Sequence, residues 1–162
     1  MSAMNPDVVV DFVEREAELL DNKRYADWLD LFEPDGAYWI PADIGQTDPL
    51  LAPSHVYERR PVLDARVIRL GDPNTYPQIP PSNTSRILGR VRVESDAGAI
   101  TARARFHLVE SRTLHIAADP QRVYAGELRF TLIVREGRLL IREKRVDLVN
   151  ADCGLFGTTI LL

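Results

Sequence analysis

The sequence predicts an α+β fold: a strongly curved antiparallel sheet with about three N-terminal helices filling its concave side. Two observations carry the class. Apolar residues recur at spacings of three and four through the first seventy residues, and from Thr84 onward they recur at every second position. A third observation separates the halves: residues 71–83 (GDPNTYPQIPPSN) hold four prolines and suit no regular element. Helices followed by consecutive strands make α+β. With 162 residues, 45% of them hydrophobic and 27% charged, the chain reads as one domain spanning 1–162. It divides into a helical half at about 5–70, the Pro-rich loop at 71–83 and antiparallel strands at about 84–162. A domain of this size buries enough surface to need neither a disulfide nor a structural metal.

The first helix spans residues 6–21. Pro6 suits a first turn and Asn5 suits the N-cap, while Val9, Val13, Ala17 and Leu20 form one stripe with Phe12 and Leu19 beside it. Asp7 and Asp11 favour its positive end. A second, short helix runs from Arg24 to Phe32, with Tyr25, Trp28, Leu29 and Phe32 on one side, and Pro34–Asp35–Gly36 breaks it. Ala37–Ile40 is a short strand ended by Pro41, residues 43–55 are loop, and residues 57–70 form a third helix with Leu63, Val67 and Leu70 on one face.

The first strand of the second half places Ile87, Val91 and Val93 opposite Arg86, Arg90, Arg92 and Glu94. After a turn at 95–99, Ile100, Ala102, Ala104, Phe106 and Leu108 alternate with Thr101, Arg103, Arg105 and His107. A turn near Ala118–Asp119–Pro120 leads to a third strand with Tyr124, Leu128, Phe130, Leu132 and Val134 on one face. Glu136–Gly137 is a tight hairpin turn into the last strand, residues 138–149. There the apolar phase moves from odd (Leu139, Ile141) to even (Val146, Leu148), which calls for a β-bulge between Ile141 and Val146.

Charge excludes some functions. Twenty Lys and Arg against 24 Asp and Glu give a net charge of −4, so a nucleic-acid binder built on positive charge is not expected. The balance is uneven: residues 1–48 carry twelve acids and three bases, and residues 82–162 carry nine acids and thirteen bases. Opposite charges meeting across an assembly would exploit that asymmetry; an acidic, solvated helix face would also produce it. Eighteen of the twenty cations are arginine, a side chain suited to interfacial carboxylates. No apolar run is long enough for a membrane span, and the N-terminus lacks the basic region and cleavage site of a signal peptide, so a cytoplasmic setting is expected.

Catalytic signals are sparse. His55, His107 and His115 include no pair at helical spacing, and no HExxH motif occurs. A single cysteine, Cys153, cannot build a thiolate-ligated iron–sulfur cluster or a Cys-rich zinc site, and no basic residue stands closer to it in sequence than Arg145, so a structural thiol is expected. Gly71, Gly89 and Gly98 are isolated, without a phosphate-binding loop. One constellation has catalytic potential if it converges inside the curved sheet: Asp35, Tyr38, Tyr57, Tyr124 and Asp147. A carboxylate with tyrosines in an apolar pocket is the recipe for proton abstraction beside a carbonyl. On that alternative the chain is a stand-alone isomerase or dehydratase. A pocket without the carboxylate makes it a ligand-binding module. The competing reading makes Tyr38 core and Asp35 a turn residue.

Four segments carry a resemblance. EAELLDNKRYADWLDLFEPDGAYWIPADIGQTDP, YERRPVLDARVIRL, QIPPSNTSRILGRVRVE and GELRFTLIVREGRLLIREKRVDLVNAD follow one another in this order. Together they resemble the small (β) subunit of aromatic-ring-hydroxylating dioxygenases. The resemblance implies a nuclear-transport-factor-like (cystatin-like) cone fold. It implies a non-catalytic structural subunit without a cofactor of its own. The Rieske [2Fe-2S] cluster and the mononuclear Fe(II) are then expected in the partner α subunit, within an α3β3 hexamer whose β subunits form a trimer. The whole oxidoreductase adds dioxygen reductively to an aromatic ring. No catalytic, cofactor or metal residue is then expected here, nor a nucleic-acid or membrane partner. The candidate interface residues are Arg86, Arg90, Arg92, Arg103 and Arg105 on the strands, Tyr57, Arg59 and Arg60, and Pro80 and Pro81 with Ser82.

Overall fold

The computed structural model describes residues 4–74, 79–96, 99–112, 121–153 and 158–162. Helix α1 spans Pro6–Asp21, with the Asn5 side chain accepting a hydrogen bond from the Asp7 amide. Its stripe Val9, Val13, Ala17 and Leu20 is buried as expected, and so is a charged residue on the same stripe, Glu16. Helix α2 covers only Tyr25–Leu29; Phe32 belongs instead to strand β1, Phe32–Pro41. The Pro–Asp–Gly segment does not end an element. It bulges out of β1, whose register against the last strand skips between Phe32 and Ala37. Gly36 is needed there, because a Cβ would stand 2.9 Å from the Ile141 carbonyl oxygen.

Strand β2, Ser54–Arg59, replaces the end of the expected loop and the start of the expected helix; α3 begins at Arg60 and runs to Gly71. Pro61 then sits in the first turn, where its missing N–H costs nothing. The expected strand over 84–94 is two strands, β3 (Asn83–Leu88) and β4 (Arg92–Asp96). Both pair with β5 (Ala99–Ser111) and are separated by an irregular step at Gly89–Val91. Before that step Ile87 faces outward, 73% exposed, whereas Val91 and Val93 pack on the core. The expected placement of Ile87 on the core face is thus overturned by the change of phase at the break.

Strands β6 (Gln121–Arg135) and β7 (Arg138–Leu148) form a long hairpin. Its turn, Glu136–Gly137, has positive φ at both residues (51° and 75°), which matches the twist of the strands it joins. The expected bulge is present: Thr131 pairs with Glu143 and Leu132 with Ile141, leaving Arg142 extra. The turn expected at Ala118–Asp119–Pro120 lies outside the described residues. Sheet order is β2-β1-β7-β6-β5-β3, with β4 also on β5. β1 and β7 run parallel, so the sheet is mixed rather than wholly antiparallel.

The inner face of the sheet and the three helices enclose one core. Val9, Val13, Leu20, Trp28, Leu63, Phe106, Phe130, Leu132 and Ile141 are among its buried members. Trp28 meets Phe32 and Tyr38 edge to face, at centroid distances of 4.8 and 6.0 Å.

Candidate functional site

The concave interior is where a pocket enzyme of this shape would hold its chemistry, and among the described residues its centre is occupied by buried side chains. At its centre lies Lys144, on the inner face of β7 and fully buried. Its Nζ donates to Glu16 Oε1 on α1 and to the Leu162 carbonyl, both at 2.6 Å. The Trp28 indole donates to the same Glu16 oxygen at 2.5 Å. Three rings (Trp28, Tyr38 and Phe130) stand 5.8–5.9 Å from Nζ. Burial lowers the Lys144 pKa, and the Glu16 carboxylate opposes that shift. Tyr38 is also buried; its hydroxyl accepts from the Leu162 amide at 2.9 Å, and burial holds its pKa above the usual phenol value. This ionic cluster ties α1, α2 and the sheet together at the buried centre of the fold.

The side chains singled out for proton abstraction are not brought together. Asp35 is in the β1 bulge, its side chain 86% exposed. Tyr57 packs edge-on against Trp39, 6.4 Å between centroids. Asp147 alternates with the core residues Val146 and Leu148 and lies on the outer face, held by Arg145 at 2.7 Å and Arg129 at 3.2 Å. Tyr38 is in the core, and the Tyr124 hydroxyl donates to buried Glu110 at 3.1 Å. Glu110 also accepts from Ser82 at 2.7 Å, which fastens the exposed Pro80–Pro81 segment to the sheet.

The histidines do not converge either. His55 reaches the Ala151 carbonyl at 2.6 Å, His107 is exposed on β5, and His115 lies outside the described residues. Cys153 is exposed beside Asp152. Among the described residues, no group of three or more His, Cys, Asp or Glu is placed to hold a metal ion.

The outer face of the sheet has a different character. Pairing register aligns Arg92, Arg103, Arg129 and Arg145 in one row across β4, β5, β6 and β7, ending at Trp39 and Tyr57 on β1 and β2. Arginines opposite one another repel, and interleaved acids offset this. Glu94 meets Arg103 at 2.5 Å, and Glu127 meets Arg129 at 2.7 Å and Arg105 at 3.6 Å. The Arg145 guanidinium lies over the Trp39 ring at 4.3 Å. Cations still exceed acids on this face, and Arg103, Arg129 and Arg105 keep 42%, 50% and 75% of their side chains exposed. Arg90 and Arg92 are exposed too and line a groove of about 820 Å³ between β4 and the start of α1.

Three of the candidate interface residues make contacts within the chain. Arg86 alternates inward, its side chain 3% exposed, and binds Asp21, Thr84 and the Leu161 carbonyl. The phase of β3 that exposes Ile87 is what buries Arg86. Arg60 spans Asp64 (3.0 Å) and the Phe32 carbonyl (2.8 Å), and Arg59 reaches the Asp35 carbonyl at 3.4 Å while staying exposed. Sequence reasoning missed Lys144 and Glu16. Both stand on otherwise apolar stripes, a detectable signal, because a charge in core phase needs a buried partner.

Comparison with known proteins adds three findings. A family model described as ring hydroxylating beta subunit matches residues 15–152. The chain is 32% identical over 148 residues to the 2-halobenzoate 1,2-dioxygenase small subunit of Burkholderia cepacia, covering 88% of this chain and 87% of that one. Its fold matches the beta subunit of the benzoate 1,2-dioxygenase of Burkholderia mallei ATCC 23344 with a TM-score of 0.74 at 26% identity, covering 97% and 99% of the two chains. The nuclear-transport-factor-like cone expected from the sequence is the architecture these subunits share.

Proposed function

Because the chain belongs to the ring hydroxylating beta subunit family, we propose that it is the non-catalytic structural subunit of an aromatic-ring-hydroxylating dioxygenase. It works with a larger α subunit that carries the Rieske cluster and the mononuclear iron. The relatives named for halobenzoate and benzoate support an aromatic carboxylate as the substrate class of the whole assembly. The observation that supports the structural role is the buried ion pair at the centre of the interior. Where a pocket enzyme of this shape would keep an acid–base pair in contact with substrate, Lys144 and Glu16 neutralise each other out of solvent.

The chain acts by shape. A rigid curved sheet presents its outer, arginine-rich face to neighbouring subunits, where planar guanidinium groups pair with carboxylates. In an α3β3 hexamer, three such subunits form a platform that spaces three α subunits so that neighbours meet in one orientation. Interfaces of this permanent kind bury on the order of 2,000 Å² or more. The described helices include none long and apolar enough to cross a membrane.

Co-expression with the large subunit of a ring-hydroxylating dioxygenase, affinity capture through this chain, and iron analysis test the reading. Iron is expected to arrive only with the large partner, and turnover only with the assembled complex. Metal bound by the isolated chain's own side chains, or turnover by it alone, overturns the proposal.

A further inference from the structure

We propose that residues 158–162 fill, from within the same chain, a binding pocket for a short apolar molecule ending in a carbonyl or carboxylate group. Once that segment is released, the pocket takes such a ligand from solution. The proposal goes beyond the structural role and does not depend on it.

The segment is held as a ligand is held. Ile160, Leu161 and Leu162 are 6%, 1% and 1% exposed and belong to the same core cluster as Trp28, Phe106, Leu108 and Phe130. They are part of no helix or strand. Side chains from three separate strands instead fix Leu161 and Leu162. On β7, Lys144 Nζ donates to the Leu162 carbonyl at 2.6 Å. On β1, the Tyr38 hydroxyl accepts from the Leu162 amide at 2.9 Å. On β3, the Arg86 guanidinium donates to the Leu161 carbonyl. On β6, the Tyr124 hydroxyl lies 3.4 Å from Thr158 Oγ1. Apolar walls with a few convergent polar groups are the anatomy of a small-molecule site. The end that receives the oxygens is ringed by Trp28, Tyr38 and Phe130, 5.8–5.9 Å from Nζ.

The polar groups of this pocket keep partners of their own when the segment leaves. Lys144 retains Glu16 at 2.6 Å, and Glu16 retains the Trp28 indole at 2.5 Å. Arg86 retains Asp21 and Thr84. Neither cation is stranded in the interior, so the vacated pocket escapes the main penalty of opening a buried charged site. One donor is unused even with the segment in place. Arg86 Nε is buried and has no hydrogen-bond partner, on a side chain only 3% exposed. A ligand with a second oxygen can engage it, which the segment does not.

The test cuts the full chain after it has folded. A specific protease site is inserted immediately before Thr158, and the cut chain is mixed with a fluorescent TTILL peptide, amide-capped or with a free carboxylate. Cutting turns docking of the segment into a bimolecular equilibrium, so that a probe can replace it. Saturable fluorescence anisotropy with the cut chain, and none with the uncut chain, is expected. N-acetylleucinamide and N-acetylleucine are expected to compete, and their ratio identifies the end group that the pocket takes. Tyr38→Phe removes the acceptor of the Leu162 amide and is expected to weaken the peptide about tenfold. An ester in place of that amide is expected to lose as much in the parent chain and little more in Tyr38→Phe. A segment that merely fills space moves neither. A cut chain that unfolds, or that stays folded and binds no peptide, overturns the proposal. Equal competition by an alkane of the same size overturns it too.

Discussion

Replacing Lys144 with Met measures how much the interior depends on its ion pair. Lys144 and Glu16 are both fully buried, 2.6 Å apart. Removing the ammonium leaves the Glu16 carboxylate with the Trp28 indole as its one donor among the described residues, and its second oxygen already lacks one. An uncompensated buried charge of this kind costs about 3–5 kcal/mol. For a chain of this length each kcal/mol moves Tm by about 2–4 °C, so Lys144→Met is expected to lower it by roughly 10 °C. The double variant Glu16→Gln/Lys144→Met removes both charges, and the amide oxygen can still accept from Trp28. Its remaining loss is a donor to the Leu162 carbonyl, about 1–2 kcal/mol. The expected coupling between the sites is therefore about 2 kcal/mol or more. Urea unfolding of the four chains, followed by circular dichroism, reads it directly. Additive single effects, or a double variant less stable than Lys144→Met, would show that the pair does not hold the core in the way argued.

Three further outcomes follow from the same contacts. Burial raises the Tyr38 pKa above its ordinary value of about 10. Above that pH the unfolded chain binds fewer protons than the folded one, so stability falls as pH rises; Tyr38→Phe is expected to lose that part of the alkaline slope in denaturant titrations at several pH values. Gly126→Ala places a Cβ 2.0 Å from the Asp147 carbonyl oxygen across the β6–β7 ladder, whereas at Gly89 the nearest atom is 3.4 Å away. The first is expected to cost about 3 kcal/mol or more and the second less than about 1, by thermal unfolding. Gln46→Ala strands the amide and carbonyls that the 43–53 loop shares with it and is expected to cost about 1–3 kcal/mol, with faster hydrogen exchange confined to that loop.

The alternation of Ile100 to Leu108, the stripe of α1 and the phase slip in the last strand are local patterns, and each was legible because burial of one face demands a fixed period. The same logic located the bulge near Arg142 without any knowledge of the partner strand. It failed at Ile87 and Arg86, because the irregular step at Gly89–Val91 inverts the phase and its place is decided by the register against β5. Strand β2 escaped notice for a related reason. Its residues are all half-buried or exposed, and pairing with β1 rather than an apolar pattern makes it a strand.

By itself the sequence determined the class of the fold, the order of its halves and, through the resemblance of four segments in series, the family. Those properties reside in period, spacing and residue type, which a linear chain displays. Only the tertiary structure decided that Lys144 and Glu16 meet in the buried interior, that Asp35 and Asp147 stand apart, and that four arginines from four strands form one row. Each of those depends on which way a side chain points once distant segments pair, and a shift of one residue in register reverses it.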